Sequence, residues 1–341
     1  MRKLLSQLLA LVLFLPIAFV YYPQTARFRP AYAEPERPPF ELSVISGVEI
    51  DVREEGLEMD GILPHSEELS GLDSEAINER INEITERKII EARESIARVL
   101  YFSYEATFSE PILSILIGSS IVSETALSNV VSLNFDVERN QFIDLGEILG
   151  AHGLQLFNGI INEMIRRNPQ VYNSAWSGLQ STQSFILLEN SVVIWFNHII
   201  ADGSEATSLV FDLDNMFTVE LAPEDYYVMD AFNLKMLPLR RILESFPGYN
   251  VVWNEERRTA SVYYRGAFLT ELTPGSNIYQ IGRVSRILEA APALINGVLH
   301  APISFFDHAV EFSARSVERD GTVVFAIYQN AEEWLEKHSV D

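Results

Sequence analysis

Cysteine is absent from the 341 residues, which excludes a disulfide framework, thiolate-held zinc or iron–sulfur clusters and a thiol nucleophile. Lysine is scarce, standing only at positions 3, 88, 235 and 337. None of these follows a serine by three positions or a glycine directly, so neither a serine–lysine hydrolase motif nor a phosphate-loop lysine can be built. Basic charge is short overall, with 25 lysines and arginines against 48 acids and a net charge of -23. Duplex binding needs cations to displace counterions, so no nucleic-acid partner is expected. Histidine occurs six times, at 65, 152, 198, 300, 308 and 338, never as His-x-x-x-His or on the His-Glu-x-x-His helix face that holds zinc. His198 sits in the Trp195-Phe196 strand and reads as a half-buried, hydrogen-bonded side chain. Gly118-Ser119-Ser120 lacks the second glycine of a nucleophile elbow. No catalytic, cofactor-binding or metal-ligating residue is singled out, and no cofactor is expected.

Core-forming residues are plentiful: 48% of the chain is hydrophobic and 11% aromatic, a composition of folded proteins. At the start, Arg2 and Lys3 precede an apolar run from Leu4 to Tyr22, and Ala31-Tyr32-Ala33 offers small residues at a cleavage site. This is the layout of a secretory signal over residues 1–33, with cleavage before Glu34. The alternative is an uncleaved anchor, the one route to the membrane that the sequence offers. Either way the remainder is expected outside the cytoplasm, secreted or associated with the cell wall. Removal of residues 1–33 would leave 21 basic against 48 acidic groups, a net charge of -27. Residues 34–40 read as a proline-rich tether.

Two α+β domains are expected, 41–222 and 228–330, joined through Ala222-Pro223-Glu224-Asp225 and followed by a tail over 331–341. Each should be an antiparallel sheet packed with one or two helices. Residues 51–86 carry twelve acids against Arg53 and Arg80 and read as a solvated surface, with no calcium-loop pattern. Asp73 or Ser74 caps a helix to about Arg98, striped by Ile77, Ile81, Ile84 and then Ile89 or Ile96. A second helix is read over Leu154 to Arg167, and a hairpin turns at Glu189-Asn190.

The succession Ser132-Leu133-Asn134-Phe135-Asp136, then Phe142-Ile143-Asp144-Leu145-Gly146-Glu147-Ile148-Leu149, then helix and hairpin, resembles the DUF4163/DUF3298 extracytoplasmic domain over about 41–220. That domain occurs in lysozyme-sensing anti-sigma factors and beside peptidoglycan deacetylases of Gram-positive bacteria. The family's Gly-Ala-His is replaced here by Thr125-Ala126-Leu127-Ser128-Asn129, and Ala151-His152 does not occupy that place.

The second half repeats itself at a lag of 64, with Pro238 falling on Pro302 and Tyr264 on Tyr328. Each copy reads as a proline-led helix followed by a hairpin. Leu237-Pro238-Leu239-Arg240, Gly248-Tyr249, Thr273-Pro274-Gly275-Ser276 and Ala291-Pro292 resemble the copper amine oxidase N-terminal-like domain. The resemblance implies an accessory domain without copper or catalysis, a recurrent module of bacterial envelopes. Tyr226-Tyr227 and Tyr263-Tyr264 suit a saccharide-stacking surface, although strand alternation places at least one of each pair in the core.

Two functions are therefore carried forward. One is a non-catalytic binding module for a cell-wall polymer or a basic extracellular protein of lysozyme type, which an acidic surface would steer. The other is a peptidoglycan-modifying hydrolase or deacetylase.

Overall fold

A computed structural model describes residues 45–338, apart from 55, 68–71, 123–125, 173–175, 198, 200–205, 230–232, 311–312 and 319. The expected signal and tether lie outside the described residues. The architecture is α+β, built mostly of sheet with a few helices.

Strands β1 (Ile45–Glu54) and β2 (Leu57–Ser66) form a hairpin in unbroken register from Ile45↔Ser66 to Glu54↔Leu57. Helix α1 (Ser74–Glu94) follows, capped by Asp73, whose carboxylate accepts the Ala76 N–H at 3.0 Å. Its inner stripe is Ile77, Ile81 and Ile84, continued by Thr85, Lys88 and Ala92 instead of Ile89 or Ile96. The Lys88 stem is buried while its ammonium reaches Glu91 at 2.6 Å. The helix ends short of Arg98 because Ile96 takes a φ of +54° and turns out to solvent.

Antiparallel pairing was expected throughout, and one junction differs. Strand β3 (Val99–Ser109) runs parallel to β2, from Glu58↔Val99 to Gly61↔Phe102. A parallel pair needs a long crossover, and α1 supplies it. Gly61 is required there: at φ +126° a Cβ would lie 2.0 Å from the Phe102 carbonyl oxygen. Strands β4 (Ile112–Val122), β5 (Ala126–Asp136) and β6 (Gln141–Phe142) complete a sheet ordered β1-β2-β3-β4-β5-β6.

A second sheet, β7 (Phe185–Leu188), β8 (Ser191–Phe196) and β9 (Thr207–Asp212), packs against this one through side-chain hydrogen bonds. Ser132 Oγ accepts the Phe185 N–H at 2.8 Å, and Asn134 Nδ2 donates to the Phe185 carbonyl at 3.0 Å. Ser114 Oγ accepts the Leu187 N–H at 3.3 Å and donates to Asn134 Oδ1 at 2.6 Å. These buried polar groups satisfy the edge of β7, which would otherwise leave donors and acceptors orphaned.

Helix α2 (Leu145–Arg167) begins nine residues earlier than the periodicity suggests. Asp144 and Glu147 form a reciprocal capping box, and Gly150, at φ +64°, breaks the helix after its first turn. The apolar period is readable only after that break.

The second half contains β10 (Met216–Leu221), β11 (Tyr227–Met229), β12 (Leu234–Pro238), α3 (Leu239–Leu243), β13 (Tyr249–Asn254), β14 (Thr259–Tyr264) and β15 (Ala267–Leu272). Then come β16 (Ile278–Ile281), β17 (Val284–Ile287), β18 (Ala293–Ile295), β19 (Val298–Pro302), α4 (Ile303–Ala309), β20 (Ser313–Val317), β21 (Val323–Tyr328) and α5 (Ala331–Lys337). The internal repeat is real in three dimensions. Strands β12 and β19 pair antiparallel as Met236↔Pro302, Leu237↔Ala301 and Pro238↔His300. Leu237 and Ala301 are equivalent positions, so the pairing is centred on a local pseudo-twofold axis. The hairpins β13–β14 and β20–β21 are also equivalent, except that the second is shifted by one residue (Tyr249↔Tyr264 against Ser313↔Ile327).

The copies differ in their third strand. The first copy takes β15, from downstream, while the second takes β10, from upstream. Strand β21 is accordingly buried on both faces: Val323, Phe325 and Ile327 enter one core, and Ala326 and Tyr328 enter the other. Helix α5, read as a tail from sequence, inserts Leu335 and Trp334 into the core around α2. There Phe157, Phe211, Trp334 and His338 stack in succession at 4.2, 4.6 and 3.9 Å.

An ion-pair chain adds to this seat. Glu163 meets Arg166 and Arg167, and Arg167 spans to Glu332 of α5 with two contacts of 2.9 Å. The hydrogen bond from Arg166, joined by that from Arg167, outweighs desolvation and lowers the Glu163 pKa from 4.5 to about 2. A carboxylate with a depressed folded pKa contributes stability above its unfolded pKa and loses it as pH falls through the folded one. Glu163→Gln should therefore flatten the decline in unfolding free energy between pH 4.5 and about 2, measured by urea titration at each pH. Burial lowers the His338 pKa below 6.5, so its neutral form is favoured in the stack and stability should begin to fall as pH drops below that value.

Candidate interaction surface

Strand β3 pairs with β2 only over 58–61, so along the rest of the β1–β2 hairpin each strand has only the other as a strand partner among the described residues. On one face Glu49 lies opposite Ile62, Asp51 opposite Asp60 and Arg53 opposite Glu58. These side chains are exposed. Like charges directly opposite destabilise a strand pair, and Arg53 is the single basic group in the β1–β2 register. The opposite face carries Val48, Ile50 and Val52. Helix α1 lies over β2, burying Leu57 and Met59, but leaves Val48 and Val52 at 49% and 47% exposure. Arg93 of α1 reaches the end of this strip, binding Glu54 at 3.1 Å. Among the described residues the outer edge of β1 has no strand partner. Alternate residues of this ten-residue strand thus turn their N–H and C=O groups away from β2, between an acidic row and an aliphatic row, with no strand partner among the described residues.

A second exposed element has the opposite charge. Hairpin β16–β17 projects Ile278, Val284 and Ile287 at 58%, 54% and 76% exposure. It turns through Gly282-Arg283, and no acid occurs between Leu272 and Leu288, whereas Arg283 and Arg286 do. Tyr279 anchors it below, 3% exposed and packed edge-on against Phe305. Burial raises the Tyr279 pKa above its ordinary value, and its hydroxyl has no partner among the described residues.

The histidines are dispersed. His65 and His308 are exposed, His300 is buried with Nδ1 against the Val298 carbonyl at 3.0 Å, and His338 is in the aromatic stack. His198 lies outside the described residues. No group of three or more His, Asp or Glu side chains among the described residues is placed to hold a metal ion. An open depression of about 380 Å³ is lined by Glu110, Asp136, Arg139, Glu147 and Glu189. Two of its acids have structural partners: Asp136 accepts the Glu138 and Arg139 N–H groups, and Glu147 caps α2. The expected core member is found in one tyrosine pair and only in part: Tyr226 packs half-buried against the second core, whereas Tyr263 and Tyr264 are both half-buried. Tyr226 donates to the Gly321 carbonyl at 2.7 Å, and Tyr264 lies against Tyr249 with ring centroids 4.6 Å apart and planes tilted by 36°. Gly118, Ser119 and Ser120 lie within β4, not at a strand-to-helix elbow.

The family resemblance in the sequence has a structural content. Asn134 and Ser132 hold β7, Asp136 closes the turn after β5, Phe135 meets Phe142 edge-on at 5.1 Å, and Asp144 with Glu147 starts α2. Each of these roles is local and structural, although Asp136 and Glu147 also line the open depression. The free β1 edge was missed as a site because edge status depends on strand order. Its only sequence signal was the alternation of Val48, Ile50 and Val52 with Glu49 and Asp51.

Residues 229–325 match the family model of the copper amine oxidase N-terminal domain, in agreement with the resemblance read over 228–330. A protein named "Protease inhibitor" from Brevibacillus choshinensis is 32% identical over 89 residues, 26% of this chain and 27% of that protein. The match therefore spans about a quarter of that relative's length. Among solved structures, the chain is similar to a DUF3298 family protein from Pseudomonas aeruginosa PAO1 (TM-score 0.35, 11% identity, covering 48% of this chain and 87% of that one). It is also similar to a DUF3298 family member from Bacteroides fragilis NCTC 9343 (TM-score 0.34, 10% identity, covering 50% of this chain and 91% of that one). No helix among the described residues is long and apolar enough to cross a membrane.

Proposed function

We propose that the chain is an exported, non-catalytic module of the cell envelope that binds a basic, wall-directed protein, of which a lysozyme is the type. The observation that carries this reading is the exposed acidic row of the β1–β2 hairpin, where Asp51 and Asp60 sit opposite each other. A cationic partner relieves the repulsion built into that pair and is steered by the chain's net charge of -23. Similarity to a protein named as a protease inhibitor favours a protein partner over a wall polymer and points away from an enzyme.

Chromatography of the purified chain on immobilised lysozyme tests the reading. Retention is expected at about 0.05 M salt and should be lost by about 0.5 M, where the screening length is a few ångströms. Passage without salt-sensitive retention removes the basic partner. Release of acetate or muropeptides from purified cell wall, abolished by a chelator, would replace the reading with the hydrolase or deacetylase alternative.

A further inference from the structure

We propose that the outer edge of β1 accepts an extended basic peptide as a seventh strand of the first sheet. The proposal rests on the binding-module reading above and adds to it a mode of capture and the chemistry of the captured segment.

Strand β1 is the longest edge in the described sheets. It has ten residues, against two for β6, six for β9 and β13, and three for β11 and β18. Natural sheet edges are ordinarily blunted by shortness, charge, proline or a bulge, and the charge on β1, three acids against Arg53, blunts it toward acidic or identical strands and not toward a basic one. Residues 45–54 contain no lysine and no proline, and their register with β2 is continuous. Alternate residues of such an edge aim N–H and C=O groups outward over about 33 Å. Those groups supply affinity for any extended chain, and the flanking side chains select among chains.

Selection follows from the two faces of β1. An added strand sets its alternate side chains beside Glu49 and Asp51 on one face and beside Val48, Ile50 and Val52 on the other. The complementary segment alternates basic and aliphatic residues. A second copy of β1 does not meet that requirement: paired antiparallel about Ile50 it sets Glu49 opposite Asp51 twice, and paired about Asp51 it matches Glu49 with Arg53 but sets the two Asp51 carboxylates together. The carboxylates thus disfavour self-pairing while leaving the edge open to a cationic strand. Arg53, at the far end of the acidic row, limits the best-matched length to about six residues, from Gly47 to Val52.

The probe is a ten-residue peptide of alternating lysine and valine, titrated onto the full chain at low salt. It is compared with a block peptide of the same composition and with an alternating peptide N-methylated at every second residue. The alternating peptide should bind best, with at least about tenfold loss for the block peptide and for N-methylation, since several backbone hydrogen bonds are forfeited. Glu49→Lys combined with Asp51→Lys should weaken binding roughly thirtyfold, two attractions becoming two repulsions, while the melting temperature does not fall, since a lysine at position 51 would face Asp60. Val48→Ser with Val52→Ser should weaken it with the salt dependence intact. Hydrogen exchange should slow across residues 45–54 on binding.

Equal affinity for the alternating, block and N-methylated peptides would overturn strand addition while leaving a basic partner in place. Protection appearing elsewhere in the chain, or a dimer that the peptide does not dissociate, would also overturn it. If neither the peptides nor lysozyme binds in a salt-sensitive way, the underlying reading fails as well.

Discussion

Phe211→Ala is expected to lower the unfolding free energy by about 5 kcal/mol, at the upper end for a buried phenylalanine. Phe211 is fully buried, stacked between Phe157 and Trp334 at 4.2 and 4.6 Å, with Tyr328 edge-on at 5.8 Å. Removing its ring opens a void and also deletes aromatic contacts worth about 0.5–1.5 kcal/mol each beyond their area. The three neighbours come from α2, β21 and α5, which collapse toward one another only by shifting helices. Urea denaturation gives the number, and Val210→Ala on the exposed side of the same strand serves as the control, within about 0.5 kcal/mol. A loss below about 2 kcal/mol for Phe211→Ala would mean that α5 is not held by this stack.

Separating the chain at the sequence junction is expected to abolish cooperative folding of both pieces. Residues 41–222 would keep β10 without its partner β21, and would lose Ala326, Tyr328, Trp334 and Leu335 from the core around α2. Residues 228–341 would keep β21 without β10 and without the core that covers Ala326 and Tyr328. Each piece would expose a strand edge and an apolar face that the full chain buries, which favours aggregation. The full chain should show one thermal transition, with the pieces lacking near-ultraviolet circular dichroism. A sharp transition in either piece alone would show that the shared sheet is dispensable. The described residues contact one another as a single compact unit, in line with this expectation.

Local features of the fold were legible wherever the physics is local. The stripe Ile77, Ile81, Ile84 and the cap at Asp73 located α1, and the turn at Glu189-Asn190 located the β7–β8 hairpin. The lag of 64 located two proline-led helices and two hairpins, and three dimensions added that their leading strands pair with each other and that the two copies take their third strands from opposite directions. Features set by distant partners were not legible. Nothing near Leu57 announces that β2 will pair in parallel with β3, because that depends on how α1 lies. The apolar run Val323 to Tyr328 read only as the return strand of the second hairpin, and nothing in it announced that β10 would pair along its edge or that α5 would join the core on one of its faces. Lys88 hid the lower half of the α1 stripe, since a lysine stem can be buried while its charge escapes to Glu91. The interaction surface was half legible. Its acidity and its alternation are in the sequence, whereas its freedom follows from strand order.

The β16–β17 tip has a practical use. Gly282 and Arg283 bridge the two strands between the repeated units, and the hairpin is fastened to the body below by Tyr279. An epitope or fluorophore tag spliced between those two positions would lengthen an exposed loop and leave both equivalent hairpins intact. Such a labelled chain would report partner capture at the far end of the sequence without touching the acidic edge.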